Sequence, residues 1–161
     1  MIEKVTQLNT LKIMIKKFTD NRGDFILFDS NKCDQVNVVT NPKIFTFRGM
    51  HYQEGDSAQI KTIKIIQGKV LDFLYDIDKK QTEVYFLDEH SGPLVVGKKY
   101  AHGYLTLEEN TIFTYAVEGD YNPEREKIIK WNDVPRIKDV LTEYISGYGE
   151  LVMSDKDKKG K

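Results

Sequence analysis

The sequence predicts an all-β fold. Three observations lead there: β-branched and aromatic residues recur in short runs, turn-forming residues separate them, and one segment alone has helical spacing. Residues 11–15, 25–28, 36–39, 44–52, 60–66, 70–77, 84–87 and 112–117 read as strands. The punctuation is Asp20-Asn21-Arg22-Gly23, Asn41-Pro42, Glu54-Gly55-Asp56-Ser57, Gln67-Gly68 and Ser91-Gly92-Pro93, the residue types that turns use. Many short strands separated in this way make a β-sandwich or a β-barrel.

The helical segment is 134–144, where Ile137, Val140, Leu141 and Tyr144 fall at helical spacing, so that it caps the sheet or runs along it. The last residues, 154–161, read SDKDKKGK, the composition of a disordered tail. The chain therefore divides into one domain, 1–153, and a charged C-terminal tail, 154–161.

A length of 161 residues suits one core, and 40% hydrophobic with 30% charged residues is the balance of a globular protein. The formal net charge of −1, from 24 basic and 25 acidic residues, supplies no global field toward nucleic acid or membrane. Cys33 is the single cysteine, so no intrachain disulfide forms. Met1-Ile2-Glu3-Lys4 is not followed by the apolar run of a signal peptide, and no stretch approaches the roughly 20 apolar residues of a membrane span. The expectation is a soluble, cytoplasmic protein with neither nucleic-acid nor membrane partners.

Strand parity puts Lys61 on one face with Ile63 and Ile65, and Tyr115 with Phe113 and Val117. A polar group on an apolar face either reaches the rim of the core or projects into a barrel cavity, where a few such groups make a ligand site. Of the three histidines, His90 in Asp88-Glu89-His90-Ser91-Gly92 reads as an exposed turn residue. His51 and His102 read either as core histidines with a hydrogen-bond partner or as site residues. A metal would need clustered ligands at alternating inward positions, but Gln53 stands two beyond His51 and the histidines are far apart, so none is expected. The Gly-x-Ser-x-Gly elbow is missing and Cys33 has no evident partner. Proton transfer remains, with histidine as base and tyrosine or lysine as acid or electrostatic aid.

Read in order, several motifs resemble those of the dTDP-4-dehydrorhamnose 3,5-epimerase family along nearly the whole chain. They are Phe18-Thr19-Asp20-Asn21-Arg22-Gly23-Asp24-Phe25, Gln35-Val36-Asn37, Arg48-Gly49-Met50-His51-Tyr52-Gln53 and Gln59-Ile60-Lys61. Gln67-Gly68-Lys69-Val70-Leu71-Asp72, Ala101-His102-Gly103-Tyr104, Tyr115, Tyr121-Asn122-Pro123-Glu124, Trp131-Asn132-Asp133 and Ser154-Asp155-Lys156-Asp157 continue the order. The resemblance implies a cupin-type jelly-roll β-barrel, a homodimer, no metal or organic cofactor, and a nucleotide-diphosphate sugar as substrate. It implies His51 as general base paired with Asp157, Tyr115 as the acid on the opposite face, and Lys61 beside the enolate oxygen. It also implies Arg22 and Arg48 at the diphosphate, and Gln35 and Asn37 at the nucleotide or phosphate. His102 would line the sugar pocket, with Phe18, Phe25 and Tyr121 packing base or sugar.

This chain departs from the family pattern at Leu27, where a glutamate associated with thymine recognition is common, so GDP, CDP and UDP stand beside dTDP as carriers. Gly97-Lys98-Lys99-Tyr100 replaces a Pro-x-Gly turn, Asp78 stands where arginine is frequent, and the Trp-Pro segment after Ile137 is absent. An enzyme inverting only C3 or only C5 would use the same base and acid. A ketoisomerase lacks the Arg-Gly-x-His-aromatic-Gln string. A noncatalytic sugar-nucleotide binder would have no use for a base and an acid on opposing faces.

Overall fold

The computed structural model describes the backbone of residues 3–8, 11–30, 33–147 and 149–160, and the side chains of residues 17–25, 35–147 and 149–160. The side chains of Leu27 and Cys33 lie outside the described residues. The strands in chain order are β1 (Glu3–Leu8), β2 (Leu11–Asp20), β3 (Gly23–Ser30), β4 (Cys33–Asn41), β5 (Phe47–Gln53) and β6 (Ile60–Gln67). They continue as β7 (Lys69–Asp76), β8 (Gln81–Asp88), β9 (Leu94–Val96), β10 (Tyr100–Thr106), β11 (Thr111–Glu118) and β12 (Glu126–Ile128). Two helices follow, α1 (Pro135–Ile145) and the short α2 (Asp155–Lys159). One sheet has the order β1-β2-β3-β4-β11-β6-β9 and the other β12-β5-β10-β7-β8. The two antiparallel sheets face each other as a cupin-type jelly roll, in agreement with the sequence.

In the second sheet the central strands, β7 and β10, are buried on both sides. Its inner face sends Val70, Leu74 and Tyr104 against Val39, Ile63, Ile65 and Phe113 of the first sheet. Its outer face sends Phe47, Met50, Leu71, Phe73, Ala101 and Leu105 against Ile137, Val140 and Leu141 of α1. Two covered faces explain why residues 70–77 carry apolar side chains at both parities, interrupted only by Asp72 and Asp76. α1 starts with proline in its first turn, where the missing N–H is not needed. Tyr144, placed by periodicity on its apolar stripe, is instead 39% exposed.

The strands differ from the sequence reading in extent and number: β2, β3, β4 and β8 run longer than predicted, and β1, β9 and β12 were not among the predicted runs. β5 begins at Phe47 rather than Ile44, because the chain turns at 43–45 between the sheets, with Phe45 at φ 56°. β10, central in its sheet, was not among the predicted runs. Ala101-His102-Gly103 carries little β-propensity, and pairing with β5 and β7 holds it extended.

The disordered tail expected at 154–161 is corrected over 154–160. Ser154 caps α2 by accepting from the Asp157 N–H at 3.1 Å, and Asp157 is 1% exposed. Composition registers the solvent-facing lysines, whereas order comes from tertiary contacts just upstream. There the Phe47 N–H donates to Val152 O at 2.9 Å, the Val152 N–H to Phe45 O at 3.0 Å, and Asn21 Nδ2 to Met153 O at 3.2 Å. Those bonds lay the C-terminal segment beside β5 and bring Asp157 to His51.

Candidate active site

Register builds the first wall of the site. On the paired strands β5 and β10, His51 lies opposite His102 and Arg48 opposite Tyr104, so three steps on β5 face two on β10. The extra residue is a β-bulge, which turns Arg48 and His51 to one face although residues three apart in a regular strand point oppositely. Glycine makes the bulge feasible. Gly49 has φ +142°, and a methyl group on it would sit 2.5 Å from the Gly103 Cα. A methyl on Gly103 would sit 2.7 Å from Met50 Sδ and 2.8 Å from the Arg48 carbonyl oxygen. The glycines of Arg-Gly-x-His and Ala-His-Gly are thus required by each other.

His51 is held between two carboxylates. Its Nε2 lies 2.7 Å from Asp157 Oδ1 and its Nδ1 lies 3.1 Å from Glu126 Oε1. The Asp157 side chain is fully buried, and its second oxygen accepts from Arg22 Nη1 at 2.8 Å and from the Gly49 N–H at 3.5 Å. Burial pulls the imidazole pKa down, but hydrogen bonds to Asp157 and Glu126 outweigh it and hold His51 above its ordinary value. Burial pushes Asp157 up, and His51 and then Arg22 outweigh it, so its carboxyl stays low. Glu126 is likewise raised by burial and lowered further by His51, Lys156 and Tyr121, ending well below the usual carboxylate range.

The first sheet supplies the facing wall. Tyr115 of β11 is in register with Asn37 of β4 and Ile63 of β6, and Val117 with Gln35 and Lys61. Gln35, Asn37, Lys61 and Tyr115 therefore share the face that packs toward the second sheet. Burial draws the Lys61 ammonium down to about 8, with Glu126 and Asp72 opposing, and it has no hydrogen-bond or ion-pair partner among the described residues. Burial pushes the Tyr115 phenol well above its ordinary value; Tyr104 adds to this and Arg48 opposes it. Asn37 is fully buried; its Oδ1 accepts from Gln35 Nε2 at 2.8 Å, and its amide acts on the Tyr115 hydroxyl, lowering that phenol's pKa against burial, without reaching hydrogen-bonding geometry among the described residues.

Aromatic contacts join the two walls. Tyr104 stacks on Phe113 at 4.0 Å between centroids, Phe113 meets Tyr115 edge-on at 5.9 Å, Tyr115 meets Phe25 at 6.5 Å, and Phe25 meets Phe18 at 6.1 Å. Phe18 is 44% and Tyr121 52% exposed, so both stand at the periphery.

The remaining predicted residues fall as follows. Arg22, at the β2–β3 turn, donates from Nε and Nη2 to Asp20 as well as from Nη1 to Asp157. Arg48 Nε donates to Asn41 Oδ1 at 2.9 Å, and its charge bears on Tyr104 and Tyr115. His102 Nε2 lies 2.8 Å from Asp72 Oδ2 in the interior. Tyr121 reaches the group by donating to Glu126 Oε2 at 2.8 Å. His90 stands apart in a turn, its side chain 85% exposed, as expected.

Sequence reasoning missed two members of the site. Glu126 bonds His51, Tyr121 and Lys156 and bears on Lys61 and Tyr115, yet Glu124-Arg125-Glu126-Lys127 reads as a solvated charge run. Asp72 left a signal, an acidic residue inside the apolar run Val70-Leu71-Asp72-Phe73-Leu74. It is fully buried, and its Oδ1 has no hydrogen-bond partner among the described residues. Chemically, a carboxylate-held histidine facing a lysine and a tyrosine can remove a proton, stabilise the resulting anion and return a proton.

The family model described as dTDP-4-dehydrorhamnose 3,5-epimerase matches residues 6–161. The dTDP-4-dehydrorhamnose 3,5-epimerase of Salmonella typhimurium is 35% identical over 137 residues, covering 73% of this chain and 73% of that protein. The corresponding protein of Methanothermobacter thermautotrophicus is 28% identical over 159 residues, covering 89% of this chain and 84% of its own. The crystal structure of the Bacillus anthracis enzyme, with TDP and PPi bound, has a TM-score of 0.67 at 28% identity over 99% of each chain. The chain belongs to the dTDP-4-dehydrorhamnose 3,5-epimerase family of isomerases.

Proposed function

We propose that this protein epimerises C3, C5 or both in a 4-keto-6-deoxy nucleotide sugar of the dTDP-4-dehydro-6-deoxyglucose type. It does so as a homodimer, without metal or organic cofactor, in deoxysugar biosynthesis. The observation that carries this reading is the placement of carboxylate-held His51 on one sheet, with Lys61 and Tyr115 on the sheet that faces it. A relative from Legionella pneumophila, in complex with dTDP-4-keto-L-rhamnose and 27% identical with a TM-score of 0.65, supports the substrate class.

The ketone at C4 acidifies the hydrogens on C3 and C5, because the electron pair left by either proton delocalises onto oxygen. His51 takes the proton, and Asp157 orients the ring and stabilises the imidazolium. Lys61 faces the enolate oxygen, where its charge is worth more for lacking another partner. Tyr115, kept protonated by burial, returns a proton to the opposite face and inverts the carbon. Arg22 and Arg48 meet the diphosphate; Asp20 and Asp157 leave Arg22 part of its five N–H donors. Asn37, buried beside Gln35 and next to Tyr115, offers its amide N–H to the ligand. His102 lines the sugar pocket, and Phe18, Phe25 and Tyr121 pack the base or sugar.

The test is incubation in heavy water with 4-keto-6-deoxyhexoses on dTDP, GDP, CDP and UDP, read by NMR and mass. Deuterium at C3 and C5 is the double epimerase, and at one carbon the single one. Nucleotide binding without deuterium uptake marks a noncatalytic binder. His51→Asn abolishes uptake and retains nucleotide binding; uptake at the wild-type rate in that variant refutes the base.

A further inference from the structure

A histidine base needs one ring nitrogen with a free lone pair, and here both nitrogens face carboxylates, at 2.7 Å and 3.1 Å. Neutral imidazole has a single N–H and satisfies one carboxylate, whereas imidazolium satisfies both. The ligand-free arrangement therefore favours the protonated ring, which is not a base. One carboxylate has to leave before the chemistry starts.

The two partners differ in how firmly they are held. Asp157 is fully buried, tied by Arg22 and the Gly49 N–H, on a helix capped by Ser154. Glu126 belongs to β12, a three-residue strand at the sheet edge. Its other oxygen is held by Tyr121, 52% exposed, and by Lys156, whose side chain is 53% exposed. Glu126 is the partner that yields.

We propose that Glu126 is a displaceable positioning residue: it holds His51 Nδ1 in the ligand-free protein, and the incoming sugar draws it away so that Nδ1 becomes the proton acceptor. This rests on His51 being the base. The charged and titratable groups around the ring are Asp157 and Lys156 from α2, Glu126 from β12 and Arg22 from the β2–β3 turn. Lys61 of β6 and Tyr115 of β11 interact with Glu126, Tyr121 donates to it, and His102 of β10, opposite His51, is paired with Asp72 of β7. Among them, Glu126 alone joins the ring to exposed side chains.

The experiment compares wild type with Glu126→Gln, nearly isosteric but uncharged. His51 is titrated by NMR in the ligand-free protein, and kcat/KM and kcat for deuterium uptake are measured against pH. The acidic limb of kcat/KM, which reports the free enzyme, moves down by about 1–2 pH units, the NMR titration moves with it, and the limb of kcat stays in place. A merely structural role would lower rates without moving a limb. An unmoved kcat/KM limb, or limbs of kcat and kcat/KM that move together, overturns the proposal. Lys156→Met is the independent variant on an exposed side chain: it leaves the Glu126 charge less neutralised and moves the kcat/KM limb up by a few tenths of a pH unit. If His51→Asn retained uptake, the base assignment would fall, while the NMR titration would still report whether Glu126 holds the ring.

Discussion

Replacing Gly103 with alanine tests whether the bulge in β5 sets the site. The new methyl group would meet Met50 Sδ at 2.7 Å, the Arg48 carbonyl oxygen at 2.8 Å and the Gly49 Cα at 3.0 Å. Ordinary contact is about 3.5–4.0 Å, so neighbours must retreat by roughly half an ångström to one ångström. Two of the three are backbone atoms that cannot swing aside. Overpacking of this kind costs about 1–3 kcal/mol, and a chain of this length loses about 2–4 °C of Tm per kcal/mol, which gives a fall of about 2–12 °C. The atoms displaced lie between Arg48 and His51, so uptake of deuterium from solvent drops about 10–100-fold, as misplacement by up to an ångström does. Thermal unfolding and exchange kinetics are read together, with Gly92→Ala as the control, since nothing lies within 4 Å of a methyl group there. A Gly103→Ala protein that melts within about 1 °C of wild type and exchanges normally refutes the mutual requirement of the two glycines.

Asp157→Asn lowers stability by about 3 kcal/mol in urea unfolding at neutral pH, since it breaks a buried ion pair with His51 and Arg22. Because the Asp157 carboxyl is held below its unfolded value of about 3.9, the wild-type advantage is complete above that pH and shrinks as pH falls through the folded value. Equal stabilities at neutral pH would show the pair to be dispensable. Lys61→Met raises stability at pH 7 by about 1–2 kcal/mol, allowing for its partial exposure, while cutting exchange about 100-fold. The sign follows from a folded pKa of about 8 against about 10.5 unfolded: the unfolded chain binds the extra proton between them, so wild-type stability climbs over that range and that of Lys61→Met does not. Tyr115→Phe lowers net inversion about 100-fold while exchange without inversion falls less than tenfold. Equal loss of both would remove Tyr115 as the returning acid.

Much of the fold was legible because short strands announce themselves locally. The runs at 60–66 and 112–117 carry the β-branched residues of β6 and β11, and turn residues mark their ends. Parity then placed Lys61 and Tyr115 on apolar faces before any neighbour was known. β10 was not visible in this way, since Ala101-His102-Gly103 is extended by the strands on either side. Composition misread 154–160 for a related reason: Asp157 is one residue among lysines, and its burial depends on partners 106 and 135 positions away.

By itself the sequence determined the all-β class, the helix at 134–144, the face on which Lys61 and Tyr115 stand, and the ordered motifs that resemble one family. These are properties of periodicity and local chemistry. Only tertiary structure decided which nitrogen of His51 meets which carboxylate, that Glu126 belongs to the site, and that Arg48 and His51 share a face. Strand spacing alone would have put Arg48 and His51 on opposite sides. The bulge reverses that, and it exists because Gly49 and Gly103, 54 positions apart, pack backbone against backbone.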